Sequence, residues 1–387
     1  MGNEFFKKLD TSILYILAAF CLISVLAIHG VQHTGLYGHQ KLGFKQGINY
    51  IIGAVLLFLF AYLDSDQIER LAWPLYVCGF LAVAVLPVLP SSIVPSILGA
   101  KRWIQIPLLG TLQPSEFMKV FLLILNSHIA VKHNSTYITR TTRSDFLLIG
   151  KILLATLPLT LFVYKEPDTG MPLLFLAGCI AIIILSGIQK KVVLPLTLIP
   201  IGLVMALIYL YFADPSLLFH KLLPLLSPHQ QARILGWLSP SGHGAAAYQT
   251  GQSLLAVGSG EMTGKGFGQG NVYIPEKNSD FIFAAIAEEG GFFAATAVVT
   301  LFFLLLYRVT IIGQMTKSSI GSYLCSGTLI IFTLQIFQNI GMTVGLMPVK
   351  GISLPFLSYG GSSIFSNMIL MGIILSIRKD YQKYMFS

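Results

Sequence analysis

With 387 residues, of which 55% are hydrophobic and only 11% charged, the chain cannot be an ordinary soluble domain, whose charged fraction is about a quarter. A mean hydropathy of +0.75 and apolar runs from end to end define an integral membrane protein. The net charge of +9 gives nucleic-acid binding no support by itself, and its division between loops reports topology instead.

Apolar runs able to cross a hydrocarbon core of about 30 Å predict an all-α fold of about ten transmembrane helices, at 12–29, 47–63, 71–90, 115–131, 146–163, 170–187, 192–212, 281–307, 320–346 and 362–378. The first run leads into His29-Gly-Val-Gln-His33 rather than a small-residue cleavage site, so it reads as a retained span. Cys21, Cys78, Cys179 and Cys325 fall inside these spans without metal spacing and read as apolar filler. One set of loops and tails holds Lys7, Lys8, Arg70, Lys132, Arg140, Arg143, Lys151, Lys190, Lys191, Arg308, Lys317, Arg378, Lys379 and Lys383. The other holds Lys41, Lys45, Lys101, Arg102, Lys165 and Lys350. The larger basic set should be cytoplasmic, which places both termini inside and the loop before Asp280 outside. Basic residues on the outer side fit an anionic ligand there. No internal repeat and no soluble domain is visible, so residues 1–387 read as a single polytopic domain.

Between the third and fourth spans, Gly99-Ala-Lys101-Arg102-Trp103 carries two cations beside an aromatic ring, suited to a phosphate and a sugar or isoprenoid, or to plain interfacial anchoring. Gln113-Pro114-Ser115-Glu116 follows, with Lys119 one turn on. Pro114 suits a helix start, so Glu116 and Lys119 share a face and can pair, in a functional cavity or as a structural ion pair. Glu166-Pro167-Asp168-Thr169-Gly170 is either a second acid site or cation ligand, or a turn.

A large loop of about 213–280 lies between spans 7 and 8, too long for a simple connection. Its first half reads as short helices on the membrane surface, Tyr248 to Gly258 as an amphipathic helix, and the remainder as a Gly-rich stretch that is either flexible or closely packed on a ligand. Asp280 closes the loop, at the mouth of an apolar helix. A carboxylate there sits in water yet can take a proton from a substrate, so it suits a general base; capping of the helix that follows is the plainer reading. In the ninth span Gln335 and Asn339 read as interhelical hydrogen-bonding groups. Leu346 to Ser363 forms a Pro- and Gly-rich polar re-entry into the tenth. No nucleotide-phosphate loop, metalloprotease pair or nucleophile elbow is present, and the histidines are scattered.

Taken together these segments resemble the SEDS family (shape, elongation, division and sporulation), with its RodA and FtsW branches, from Phe44-Lys45-Gln46 to Gly372. The motifs that carry the resemblance are Gly99-Ala-Lys-Arg-Trp103, Gln113-Pro-Ser-Glu116 with Lys119, Glu166-Pro-Asp-x-Gly170, Tyr248-Gln with Gln252, Gly264-Lys-Gly266, Pro275-Glu276 through Asp280-Phe-Ile-Phe-Ala284, Glu288-Glu289, and Leu354-Pro through Ser358-Tyr-Gly-Gly361. The resemblance implies a peptidoglycan glycosyltransferase of the bacterial cytoplasmic membrane that polymerises lipid II on the outer face, with Asp280 catalytic and undecaprenyl pyrophosphate as leaving group. It implies Lys101, Arg102 and Arg233 as partners of the pyrophosphate, with a divalent cation (Mg or Mn) left open and no other cofactor. It further implies Trp103, Gln113, Glu116, Lys119, Gln252 and Glu276 as substrate-binding residues, membrane lipids around the chain, and a class B penicillin-binding protein as partner. Two positions depart from the family pattern: Glu261 where glycine is common, and Gly290 where leucine is common. A lipid II flippase and a noncatalytic scaffold are the rival functions.

Overall fold

The computed structural model describes residues 8–33, 41–96, 100–106, 110–166, 168–239 and 244–385. Each expected span falls on one helix: α1 (Thr11–His33), α2 (Leu42–Tyr62), α4 (Ala72–Ala84), α5 (Pro114–Thr136), α6 (Thr142–Lys165), α7 (Gly170–Leu185), α8 (Lys190–Ala213), α11 (Ile282–Met315), α12 (Ser319–Thr343) and α13 (Gly361–Met385), with the short α3 (Ser65–Arg70) after α2. Seven of these helices are long and apolar enough to cross a membrane, namely α1, α2, α6, α8, α11, α12 and α13 over Gly361–Tyr381, while α4 and α7 are shorter apolar helices. α5 is long enough at 23 residues but carries Glu116, Lys119, Asn126 and His133 among its buried positions. It tolerates them because α4, α6, α7, α12 and α13 pack around it and shield it from lipid. α13 is a second central helix, packed along α2, with buried Ser366, Asn367 and Ser376. α8 is the opposite case: only Val192 is buried, and apolar side chains face outward along its length.

The structure refines two expectations. The all-α fold contains a small antiparallel hairpin, Ile104–Ile106 (β1) with Gly110–Leu112 (β2), in the register Ile104↔Leu112. Gly99 and Pro167 of the quoted motifs lie outside the described residues. The span expected at 281–307 is not one straight helix. α11 runs 34 residues but breaks at Gly291, where φ is 66° and ψ is −163°. That left-handed position favours glycine, and a side chain would collide with Gly264 N, 2.4 Å from a built Cβ. Asp280 therefore heads a short helix folded into protein, with Ile282 to Glu289 all buried, before the chain turns into its membrane run.

The described residues of the loop after α8 are largely helical turns and close-packed chain. Helical turns over 215–225 lead to α9 (Pro228–Leu238) and α10 (Ala245–Ser259), and α10 packs on α9, α11 and α12. The Gly-rich stretch is a tight packing surface rather than a flexible linker. Cβ atoms at Gly260 and Gly264 would lie 2.0 Å from Ala287 O and 2.1 Å from Glu289 O, so the loop backbone touches the short helix directly. At Glu261, φ is 49°, a left-handed conformation that explains why glycine suits this place.

Topology has a direct check. In a background lacking the exposed Cys78, a cysteine at exposed Thr263 is expected to react with an impermeant thiol reagent from outside intact cells, and one at exposed Thr139 is not. The reverse labelling would turn the Asp280 end inward.

Candidate active site

Asp280 is held by its backbone rather than its side chain. Its carbonyl accepts from Asn339 Nδ2 on α12 at 2.8 Å. The neighbouring Ser279 carbonyl accepts from Ser358 Oγ at 2.7 Å, and Tyr359 N donates to Asn278 O at 2.9 Å. Ser358 Oγ in turn accepts from Leu354 N at 2.8 Å. The polar re-entry between α12 and α13 thus straps the 278–280 segment in place, and Gly351 (φ 69°) lies against the carboxylate, 3.3 Å from Oδ2 to a built Cβ. The carboxylate itself has no hydrogen-bond partner among the described residues and is partly accessible. Crowding by protein pushes its pKa up to about 6, with Glu276 adding to the rise, Arg233 opposing it and Asp168 adding a little more. An unpaired carboxylate tuned toward neutrality is what a general base requires.

Cations converge on the same mouth. Arg233 on α9 is half-buried and held below its usual range chiefly by that burial, with Asp280 pulling the other way. Lys350 in the re-entry is lowered by burial and then by Arg233. His229 on α9 is lowered by burial, Arg233 and Arg102. Arg102 stacks over Trp103, 5.1 Å from its centroid, and stands 3.8 Å from Asp168 Oδ2. Lys101 points elsewhere: its ammonium donates to Leu89 O at 3.0 Å and Pro87 O at 3.4 Å, tying the chain to the turns after α4.

Asp168 serves the turn reading. Its Oδ1 accepts from Gly170 N at 3.0 Å and Met171 N at 3.1 Å, capping α7, and its Oδ2 accepts from Gln113 Nε2 at 3.1 Å. Glu166 is the freer acid: burial and Asp168 raise its carboxyl to about 7 against Arg102, and its buried Oε1 has no partner among the described residues. Glu276 is exposed with φ 56° and accepts from Ser279 Oγ at 3.1 Å. Gln252 on α10 is half-buried, beside Ser253, which donates to Thr343 O at 2.8 Å.

Glu116 and Lys119 pair as their spacing predicts, at 2.7 Å. Lys119 Nζ also donates to Asn367 Oδ1 at 2.8 Å and Ser366 Oγ to Glu116 Oε2 at 3.2 Å, locking α5 to α13. With Lys119 only 1% exposed, this is a closed ion pair inside the bundle rather than a surface open to the mouth. Removing one partner leaves a buried charge alone. Glu116→Gln and Lys119→Met are each expected to lower thermal stability, with a coupling of about 1–3 kcal/mol recovered in the double variant. Additive losses in a thermal-shift cycle would contradict the pairing.

The most heavily bonded acid stood in the sequence only as part of the Glu288-Glu289 motif, with no partner or role assigned. Glu288, fully buried on the short helix, accepts from Lys277 Nζ at 2.6 Å, Lys265 Nζ at 2.7 Å, Asn271 N at 2.9 Å and Val272 N at 3.0 Å. Lys277, equally buried, also donates to Val272 O at 3.0 Å. This clamp folds the 265–277 loop onto the helix that Asp280 heads. Lys350 was likewise visible only as an outward basic residue. Among the described residues no three His, Cys, Asp or Glu side chains form a metal-ligand group.

The chain is thus a helical multi-pass membrane protein in which a carboxylate unpaired among the described residues and a group of basic side chains lie at one polar mouth. The chain belongs to the FtsW/RodA/SpoVE cell cycle protein family, whose model matches residues 7–383. A relative from Coxiella burnetii, named probable peptidoglycan glycosyltransferase FtsW, is 33% identical over 369 residues, covering 93% of this chain and 93% of its own. Stage V sporulation protein E of Bacillus subtilis is 29% identical over 391 residues, covering 98% of this chain and 99% of its own. Among solved structures, a chain from a peptidoglycan synthase complex that coordinates polymerization and crosslinking superposes with a TM-score of 0.72 at 25% identity, covering 96% of this chain and 98% of that one. The rod shape determining protein RodA of Thermus thermophilus shares the fold, with a TM-score of 0.65 at 23% identity over 96% of this chain and 97% of that one.

Proposed function

We propose that this protein is a peptidoglycan glycosyltransferase that polymerises lipid II at the outer face of the cytoplasmic membrane, with Asp280 as general base. The observation that carries the reading is the Asp280 carboxylate, unpaired among the described residues, raised to about 6 and facing Arg233. Asp280 takes the proton from the 4-hydroxyl of the acceptor GlcNAc. The resulting oxygen forms a bond to the anomeric carbon of the donor MurNAc, whose bond to the pyrophosphate breaks, and undecaprenyl pyrophosphate departs with the electron pair. Negative charge develops on that leaving group, so Arg102, Arg233 and Lys350 are the candidates to stabilise it. Lys101, occupied with the Pro87 and Leu89 carbonyls, contributes by holding the segment that carries Arg102. The isoprenoid chains lie among the apolar helix faces. A class B penicillin-binding protein is the proposed partner, in keeping with the similarity to a chain of a peptidoglycan synthase complex.

Purified protein reconstituted with lipid II tests the reading. Glycan strands resolved on a gel are expected. Lipid translocation across vesicles without polymer would favour a flippase, and neither activity would favour a scaffold.

A further inference from the structure

We infer that Asn339 is a positioning residue for Asp280: its amide donates to the Asp280 carbonyl and to the Ile352 carbonyl, fixing the base against the polar re-entry. This deepens the polymerase reading and rests on it. Both bonds are 2.8 Å long, and Asn339 has no solvent exposure within α12. The two hydrogens of one planar Nδ2 point to two different chain segments, so the amide sets their separation as well as their orientation. Its Oδ1 is buried with no partner among the described residues. An unpaired buried acceptor is costly, and packing alone would be served better by leucine. What the amide supplies is the pair of donated bonds.

The Asp280 side chain has no tether of its own among the described residues, so its place is inherited from the backbone. Three contacts hold that segment from outside: Asn339 on residue 280, Ser358 on residue 279 and Tyr359 N on residue 278, and among the described residues Asn339 alone bonds the residue that carries the carboxylate. Without Asn339 the Asp280 carbonyl loses its partner and the 351–352 segment is free to shift from the carboxylate it touches. A displacement of about an ångström costs on the order of a hundredfold in rate. It also admits water to the carboxylate and relaxes its pKa toward the ordinary carboxylate range.

The test is lipid II polymerisation by purified Asn339→Leu and Asn339→Asp, with rates normalised to folded protein and followed across pH. Leucine removes both donors, and aspartate turns a donor into an acceptor facing two carbonyls. Each is expected to lower kcat by roughly ten- to a hundredfold with KM within about twofold, and to move the acid limb of kcat/KM below the parental position. A purely structural role would reduce the folded fraction, leaving the limb and the normalised kcat unchanged. If both variants fail to fold, Asn339→Ser, small enough to be accommodated and too short to reach both carbonyls, is expected to show the same acidward shift. Parental kcat with an unmoved limb in the folded variants would overturn the inference. A parental protein that makes no strands, or an Asp280→Asn protein that makes them normally, would instead remove the polymerase reading beneath it.

Discussion

Lys277→Met is expected to unfold the outer loop and cost the protein about 3–5 kcal/mol, the usual result of removing one partner from a buried ion pair. Neither Lys277 nor Glu288 exposes any side-chain surface, and their oxygen and nitrogen stand 2.6 Å apart. Lysine removal leaves Glu288 with Lys265, whose side chain is 23% exposed, and with the amides of Asn271 and Val272. Glu288→Ala is the harsher change, because among the described residues it leaves buried Lys277 the Val272 carbonyl alone and leaves both amides unpaired. Because Asp280 heads the same helix, either loss should also abolish activity. Thermal unfolding in detergent measures the effect, and a loss below about 1 kcal/mol in both variants would show that the clamp adds little.

The second large effect is the pH dependence of Asp280. With its pKa raised to about 6, the base is ionised above that value, so kcat/KM should climb through pH 6 and then level off. Stability should run the other way. The fold favours the protonated carboxyl more than the unfolded chain does, so stability is lost as pH rises from the ordinary carboxylate value through about 6. Asp280→Asn escapes that penalty and is expected to be at least as stable as the parent at neutral pH while making no strands. Asp280→Glu should retain little activity, since its longer side chain misplaces the carboxylate by about an ångström. A rate that stays level down to pH 4, or an Asn variant markedly less stable than the parent, would contradict this electrostatic picture.

Much of the fold was legible because its signals are local. Hydropathy marks the helices, and the three-residue spacing of Glu116 and Lys119 brings them together on any helix. Asp280 stood out as the last polar residue before an apolar run. What escaped depends on contacts distant in sequence. Glu288 meets Lys277 and Lys265 across 11 and 23 residues, a separation with no periodic signature. Lys350 reaches the mouth only because the re-entry folds back beside Arg233. Lys101 and Arg102 are adjacent in sequence, yet one turns to the carbonyls after α4 and the other to Asp168. In the sequence Gly290 stands out only as a glycine where leucine is common, with no break assigned to the helix. The actual break needed the close approach of Gly264, which composition does not reveal.

The central claim, that Asp280 carries the chemistry, is tested most directly by strand formation from lipid II with parental and Asp280→Asn proteins side by side, each purified and shown to be folded. The amide keeps the size of the side chain and nearly all of its capping capacity, but it cannot accept the hydroxyl proton. A loss of about a hundredfold or more in strand formation is expected, with the folded fraction unchanged. Parental rates from folded Asp280→Asn protein would contradict the assignment.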